Sequence, residues 1–144
     1  MPVEGIFSTT INVLDKSIDL RARNQNLIAS NLANAETPNY TPKALAFEEQ
    51  LQSATRRASL KKGGAVPAPA HPAHFSVKGA ATSIKQVSGK VVEVPAKTPG
   101  KDGNSVELEN EMSRMMENQV MYNASVQLLS KKFEGLRSAL REGK

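Results

Sequence analysis

The sequence predicts a mainly α-helical protein in which long N- and C-terminal helices pair as an antiparallel coiled coil around an irregular middle segment. Apolar residues recur with alternating spacings of four and three near both ends of the 144-residue chain. Such a seven-residue repeat lines one edge of a helix, and that edge must be buried against another helix. The middle of the chain shows no such period. We therefore divide it into residues 1–40, 41–105 and 106–144, with the two helical ends forming one domain.

The N-terminal helix is predicted to begin near Ser8–Thr10, whose hydroxyls can cap it, and to end at Ala33. Its main apolar line, which Arg21 and Gln25 interrupt, consists of Ile11, Leu14, Ile18, Ile28 and Leu32. A second line on the other side of the helix consists of Val13, Leu20 and Leu27. An amphipathic helix normally has one apolar face, so two lines predict contacts on two sides.

The C-terminal helix is predicted to begin after Asn104 or Ser105, both good cap residues, and to reach Leu140. Its apolar line, in which only Gln119 is polar, consists of Leu108, Met112, Met115, Tyr122, Val126, Leu129, Phe133, Leu136 and Leu140. Buried polar residues can fix the register of a coiled coil. Arg21, Gln25 and Gln119 are predicted to have that role here.

The middle segment is predicted to contain less regular structure. Residues 34–42 end the first helix, and Asn34 suits a left-handed conformation at its C-terminus. A short helix over residues 45–60 would place Phe47 and Leu51 on one face. Residues 61–82 are rich in Ala, Pro, Gly and Lys and are typical of a linker.

A weak β-hairpin is predicted at the end of the middle segment. Its strands would be Ser83–Val87 and Lys90–Val94, joined by a turn at Ser88-Gly89. Pro99, Gly100 and Gly103 then indicate a further loop before the last helix.

The composition indicates a small core and offers no recognisable chemistry. Aromatic residues make up 4% of the chain, and there is no Trp, so burial between subunits would have to supply what a single chain lacks. The chain has no Cys, no apolar run long enough to span a membrane and no recognisable cleavable signal. His71 and His74 flank Pro72 and make a poor metal site. We predict no enzyme, catalytic residue, metal, cofactor or small-molecule substrate.

The basic middle segment raises an alternative function. Residues 41–100 carry nine basic and three acidic side chains, and such a segment can contact phosphates. The stacking aromatic residues of a single-strand binder and any groove-reading motif are missing. A nucleic-acid-binding protein with a disordered basic middle therefore stays the alternative, and no nucleic acid is the favoured prediction.

One segment resembles the signature of the flagellar basal-body rod proteins. The residues Asn31, Ala33, Asn34, Thr37, Pro38 and Tyr40 lie in a run similar to the family's N-x-A-N-x-x-T-x-x-Y pattern. Further matches are Leu20–Gln25, Asp102–Val106, Glu111-Met112 and Glu117–Tyr122. Within the family, the short chain and the C-terminal series resemble the proximal rod subunit, with a neighbouring subunit such as FlgC as the alternative.

The resemblance implies a structural role and a set of partners. Subunits of this family polymerise through their terminal helices into a hollow helical tube that links the export gate and membrane ring to the distal rod and transmits torque. The implied partners are copies of the chain itself, adjacent rod proteins such as FlgC, the adaptor protein FliE, the export gate and the membrane ring. The implied location is the basal body on the periplasmic side of the inner membrane, reached by type III export without cleavage.

Overall fold

The computed structural model describes residues 4–62 and 83–142, which form a mainly helical fold with a small two-stranded sheet. The elements are α1 (Glu4–Ala33), β1 (Lys43–Ala46), α2 (Glu48–Lys62), a 3-10 turn (Ile84–Gln86), β2 (Lys90–Glu93) and α3 (Leu108–Glu142). The predicted helical class is thereby confirmed. The predicted linker lies outside the described residues, except for Lys61 and Lys62, which end α2.

Both long helices differ from the prediction at their first residues. Helix α1 begins at Glu4 rather than at Ser8–Thr10, and it ends at Ala33 as predicted. Helix α3 begins at Leu108 rather than directly after Asn104 or Ser105. The side-chain oxygen of Asn104 accepts a hydrogen bond from the backbone N–H of Val106 at 2.7 Å. Asn104 therefore holds the loop before the helix instead of capping it.

The predicted local hairpin is wrong, because β2 pairs with a strand from before α2. The antiparallel pairing of β1 with β2 sets Lys43 opposite Glu93 and Ala46 opposite Lys90. The expected first strand instead contains a 3-10 turn that buries Ile84 and Val87, three residues apart, in the core.

Gly89 of the predicted turn lies close to β1 instead of closing a local hairpin. Its φ is +69°, and an added Cβ would lie 2.9 Å from the Leu45 side chain. This glycine thus lets the backbone pass closely over β1. The predicted second helix also starts later than expected, since residues 43–46 form β1.

A small apolar core joins α1 to the middle segment. Its buried members are Leu20, Leu45, Phe47, Ala54, Ile84 and Val87. Val13 and Leu27 of α1 pack against the same cluster. The second apolar line of α1 is therefore covered by the chain's own middle segment, while its other side faces α3.

The contacts between α1 and α3 run in opposite directions along the two helices. Hydrogen bonds join Ser17 to Ser125, Asn24 to Asn118 and Asn31 to Glu111. Each step of seven residues up α1 is matched by a step of seven down α3. Two consecutive contacts thus lie two helical turns apart, as in a repeat that keeps one edge facing its partner.

Candidate assembly site at the helix pair

Asn31 lies at the centre of a buried polar junction between α1, β1 and α3, and only 1% of it is exposed. Its amide nitrogen donates to the backbone oxygen of Lys43 and to Oε2 of Glu111, both at 2.8 Å. Its amide oxygen accepts from the backbone N–H of Lys43 at 2.9 Å and from the Tyr40 hydroxyl at 3.2 Å. All four hydrogen-bonding positions of the amide are therefore used.

One helical repeat earlier, Asn24 forms a similar bridge. Its side-chain oxygen accepts from the backbone N–H of Leu45 at 3.2 Å, and its nitrogen lies 3.4 Å from the side-chain oxygen of Asn118. Asn118 is buried and donates to the Arg21 backbone oxygen at 2.9 Å and to the Gln25 side chain at 2.7 Å. The edge of β1 that β2 leaves free is thus covered by side-chain amides of α1.

Two further contacts complete this polar line. The hydroxyls of Ser17 and Ser125 lie 3.4 Å apart. The carboxylate of Glu111, which is 2% exposed, also accepts from the Arg114 guanidinium at 2.8 Å. Among the described residues, no buried side-chain nitrogen or oxygen lacks a hydrogen-bond partner, so the burial of these polar groups is compensated.

The signature turn after α1 is joined to the loop before α3. The Asn104 side chain donates to the backbone oxygens of Asn34 and Thr37 at 3.0 and 2.7 Å. Backbone bonds connect Asn39 to Asp102 and Ser105 to Tyr40. Two segments that are far apart in the sequence therefore fix each other's backbone at one end of the helix pair.

The left-handed residue in this turn is Asn39, with a φ of 59°, and not Asn34 as predicted. Asn34 instead ends the helix through its side chain, which donates to the Ser30 backbone oxygen at 2.8 Å. The Thr37 hydroxyl donates back to the Asn34 side chain at 3.1 Å. Of the other signature residues, Ala33 and Pro38 are exposed and Tyr40 is half-buried.

The predicted interface residues fall into two groups. The first group is buried or half-buried and consists of Ile11, Leu14, Ile18, Ile28 and Leu32 on α1 and Met115, Tyr122, Leu129 and Leu136 on α3. The second group, which we call the outer line of α3, is exposed and consists of Leu108, Met112, Val126, Phe133 and Leu140. The single chain therefore leaves five of the nine predicted α3 residues exposed.

The residues predicted to fix register have different contacts. Gln25 lies in the junction, where it accepts from Asn118. The Arg21 guanidinium lies 5.5 Å from the centre of the Phe47 ring and 3.4 Å from a Glu48 carboxylate oxygen. Gln119 donates to Asn123 on its own helix. Besides Gln25, the polar residues between α1 and α3 are Ser17, Asn24, Asn118 and Ser125, together with Asn31 and Glu111.

A periodic signal for these residues is present in the sequence. Ser17, Asn24 and Asn31 are spaced by seven, as are Glu111, Asn118 and Ser125. A search for polar as well as apolar repeats at this spacing would have found them. Their neighbours in the fold, Lys43 and Leu45, come from a strand and could not be found by that rule.

The described residues contain no cluster of three or more His, Cys, Asp or Glu able to hold a metal. His71 and His74 lie outside those residues. No helix in the described ranges is both long and apolar enough to span a membrane.

Comparisons with known proteins cover the α1 residues of this junction. The family pattern for "Flagella basal body rod protein" matches residues 19–41, which include Asn24, Asn31 and the signature turn. The protein named flagellar basal body rod protein FlgB of Cereibacter sphaeroides is 30% identical over 135 residues, covering 94% of this chain and 96% of the relative.

Two further relatives carry the same printed name. FlgB of Bacillus subtilis is 28% identical over 140 residues and covers 97% of this chain and 99% of its own length. FlgB of Salmonella typhimurium is 24% identical over 128 residues, with 89% and 90% covered. On this evidence the chain belongs to the flagellar basal body rod protein family and is a structural subunit of that rod.

Proposed function

We propose that this chain is the proximal subunit of the rod and that it polymerises into a hollow helical tube. The observation that carries the proposal is the outer line of α3, which is half or more exposed at several positions on a helix already paired on its other face. A contact between unlike surfaces of identical subunits produces an open helical polymer. The relatives named above all carry the name FlgB rather than FlgC, which supports the proximal position.

The outer line is suited to contact with a second copy of this chain. Its residues alternate along α3 with the half-buried Met115, Tyr122 and Leu129, so the two lines lie side by side. Exposed acidic side chains lie near the start of α3, at Glu109 and Glu117, and exposed basic ones near its end, including Lys131, Lys132 and Arg137. Head-to-tail or antiparallel contact between two such helices brings opposite charges together.

The strength of one such contact favours a polymer over a pair. Complete burial of a large apolar side chain contributes about 1.5–3 kcal/mol, so covering the exposed half of each contributes about 1 kcal/mol. Association costs roughly 4–15 kcal/mol. A single contact through these five side chains therefore offsets only part of the association cost or little more than it. Several such contacts per subunit would hold each copy firmly in a polymer.

The α1–α3 pair is proposed to be an antiparallel coiled coil in the assembled rod. The polar contacts at seven-residue spacing support this arrangement, because that spacing keeps one edge of each helix facing the other. Residues Ile11, Leu14 and Ile18 of α1, with Leu129 and Leu136 of α3, would form the apolar part of the same interface.

The specific partner proteins and the location that we propose follow from the proximal position. Below this subunit we place the adaptor FliE, the export gate and the membrane ring, and above it a FlgC-like rod protein. The subunit would lie on the periplasmic side of the inner membrane after export without cleavage. Nucleic-acid binding is not favoured, because relatives matched along almost the whole chain are named as rod proteins.

A labelled basal body tests the proposal. The chain has no Cys, so a single cysteine at exposed Gln52 can carry a biotin and a gold particle. We expect gold at the base of the rod, next to the membrane ring, in electron micrographs of isolated basal bodies. Gold along the distal rod or hook, or no gold in intact basal bodies, would contradict the assignment.

A further inference from the structure

We propose that Asn24 and Asn31 couple the docking of β1 on α1 to the pairing of α1 with α3. Both side chains bond simultaneously to β1 and to α3. These contacts lie within one chain, so the proposal goes beyond the assembly function and does not require polymerisation.

The geometry of an amide explains the dependence. The donor and acceptor directions of the Asn31 amide are fixed relative to each other in one plane. A single side-chain rotamer therefore sets the direction of all four hydrogen bonds. When the Lys43 backbone holds the oxygen and one N–H, the second N–H is directed at Glu111. Each partner thus orients the amide for the other, and the side-chain entropy lost on ordering is lost only once.

The environment strengthens this coupling. Asn31 and Glu111 are 1% and 2% exposed, and β1 lies against α1 along the edge not covered by β2. If α3 leaves, the amide loses a charged acceptor, and the remaining bonds to Lys43 become accessible to water. Bonds exposed to water contribute less than the same bonds in a buried network. Pairing of the helices therefore stabilises the docked position of β1.

The consequence is that β1 is held in two steps. The apolar core holds it against α1 without any residue of α3, and pairing of α1 with α3 then makes it dock more firmly.

The Ser17–Ser125 contact gives an independent control over helix pairing. Those hydroxyls lie 3.4 Å apart, one repeat beyond Asn24, and the chain has no other thiols. In a full-length chain carrying Ser17→Cys and Ser125→Cys, oxidation locks the helix pair and reduction releases it. Exchange of the Lys43 and Leu45 amides reports docking of β1, because these N–H groups bond to Asn31 and Asn24.

Amide hydrogen exchange is compared between the oxidised and the reduced form. The urea concentration is the one at which the α3 amides are unprotected in half of the reduced molecules. We expect locking to slow exchange at Lys43 and Leu45 at least about tenfold, which corresponds to about 1.4 kcal/mol. Glu111→Leu removes only the α3 end of the junction, and in it locking should slow Lys43 less than about threefold.

Two variants act as controls. Glu111→Gln keeps an oxygen that can accept from Asn31. Glu109→Leu makes the same charge change as Glu111→Leu, but at an exposed position. Both variants should retain the tenfold slowing of exchange. Equal slowing in Glu111→Leu and Glu109→Leu would overturn the proposal, as would fast exchange at Lys43 in the locked parent. Neither result would bear on whether the chain forms a rod.

Discussion

At the scale of single residues, Asn31 shows why a polar side chain occupies the centre of a helix interface. Leucine would fit the apolar repeat better, but it would leave the Lys43 N–H and carbonyl without partners. Glu111 would also lose one of its two side-chain donors. Each buried polar group left without a partner costs about 1–3 kcal/mol, which exceeds the gain from a few buried methyl groups.

We predict that Asn31→Leu lowers the free energy of unfolding by about 3 kcal/mol or more, because several buried groups lose their partners. Urea unfolding followed by circular dichroism measures the change. Asn26→Leu, an exposed change on the same helix, should stay within about 0.5 kcal/mol of the parent. Equal stability of the two variants would show that the junction contributes little.

Gly103 gives a second residue-scale prediction. Its φ is +76°, and an added Cβ would collide with the Asn39 side chain. Gly103→Ala should therefore destabilise the protein by more than about 1 kcal/mol. Gly135→Ala, in α3 with open space around the added atom, should stabilise it by about 0.5–1 kcal/mol. Thermal unfolding of both variants provides the comparison, and a shift of the same sign would contradict the assignment.

At the scale of elements, α3 presents different surfaces to α1 and to solvent. Glu111, Asn118 and Ser125 are buried against α1, whereas Met112 and Phe133 are about half exposed. Arg114 also has a structural contact, since it pairs with the buried Glu111. It would be a poor neutral control for substitutions on this helix.

We predict that Phe133→Asp blocks rod assembly without unfolding the chain. The side chain is 53% exposed, so the monomer should lose less than about 1 kcal/mol, whereas a charge in an apolar contact costs several. Leu129→Asp, at a half-buried position, should weaken both folding and assembly. Motility and electron microscopy report assembly, and urea unfolding reports folding.

The exposed Gln127→Asp is the matched charge control and should assemble normally. Normal rods with Phe133→Asp would mean that another face of the subunit forms the contacts along the rod. Loss of monomer stability comparable to that of Leu129→Asp would instead mean that Phe133 is buried within the chain.

At the scale of the whole molecule, α1 pairs with α3, and β1, α2 and the 3-10 turn pack onto α1. Among the described residues, few large side chains are fully buried. Many of the large apolar side chains of α3 are exposed to solvent in the single chain. A rod subunit of this kind should gain stability when it assembles.

We predict that a photo-crosslinking residue at exposed Asn26 captures a second copy of this chain and at least one different small helical protein. A subunit at the base of a rod must contact like neighbours beside it and unlike ones below it. Mass spectrometry of crosslinked basal bodies identifies the captured proteins. Capture of distal rod or hook proteins alone would place this subunit elsewhere in the rod.

The two terminal helices, the turn that ends α1 and the family resemblance were predictable from the sequence. Local periodicity and short-range turn chemistry are properties of neighbouring residues, so helix α1 ends at Ala33 and α3 passes Leu140, as predicted. The matched relatives agree with the resemblance drawn from residues 31–40. The repeat also placed the residues of the outer line on one edge of α3, but it predicted them as buried, and their exposure came from the structure.

Long-range contacts in the folded chain determine which strand pairs with β2 and which residues face α3. The β1–β2 pairing spans more than 40 residues of chain, and its choice depends on Ile84, Val87 and Leu45 sharing one core. Polar residues take the buried places at Asn24, Asn31 and Asn118 because a strand edge and a second helix supply their partners. Those partners are distant in sequence, and no local pattern specifies a contact whose energy depends on groups brought together only by folding.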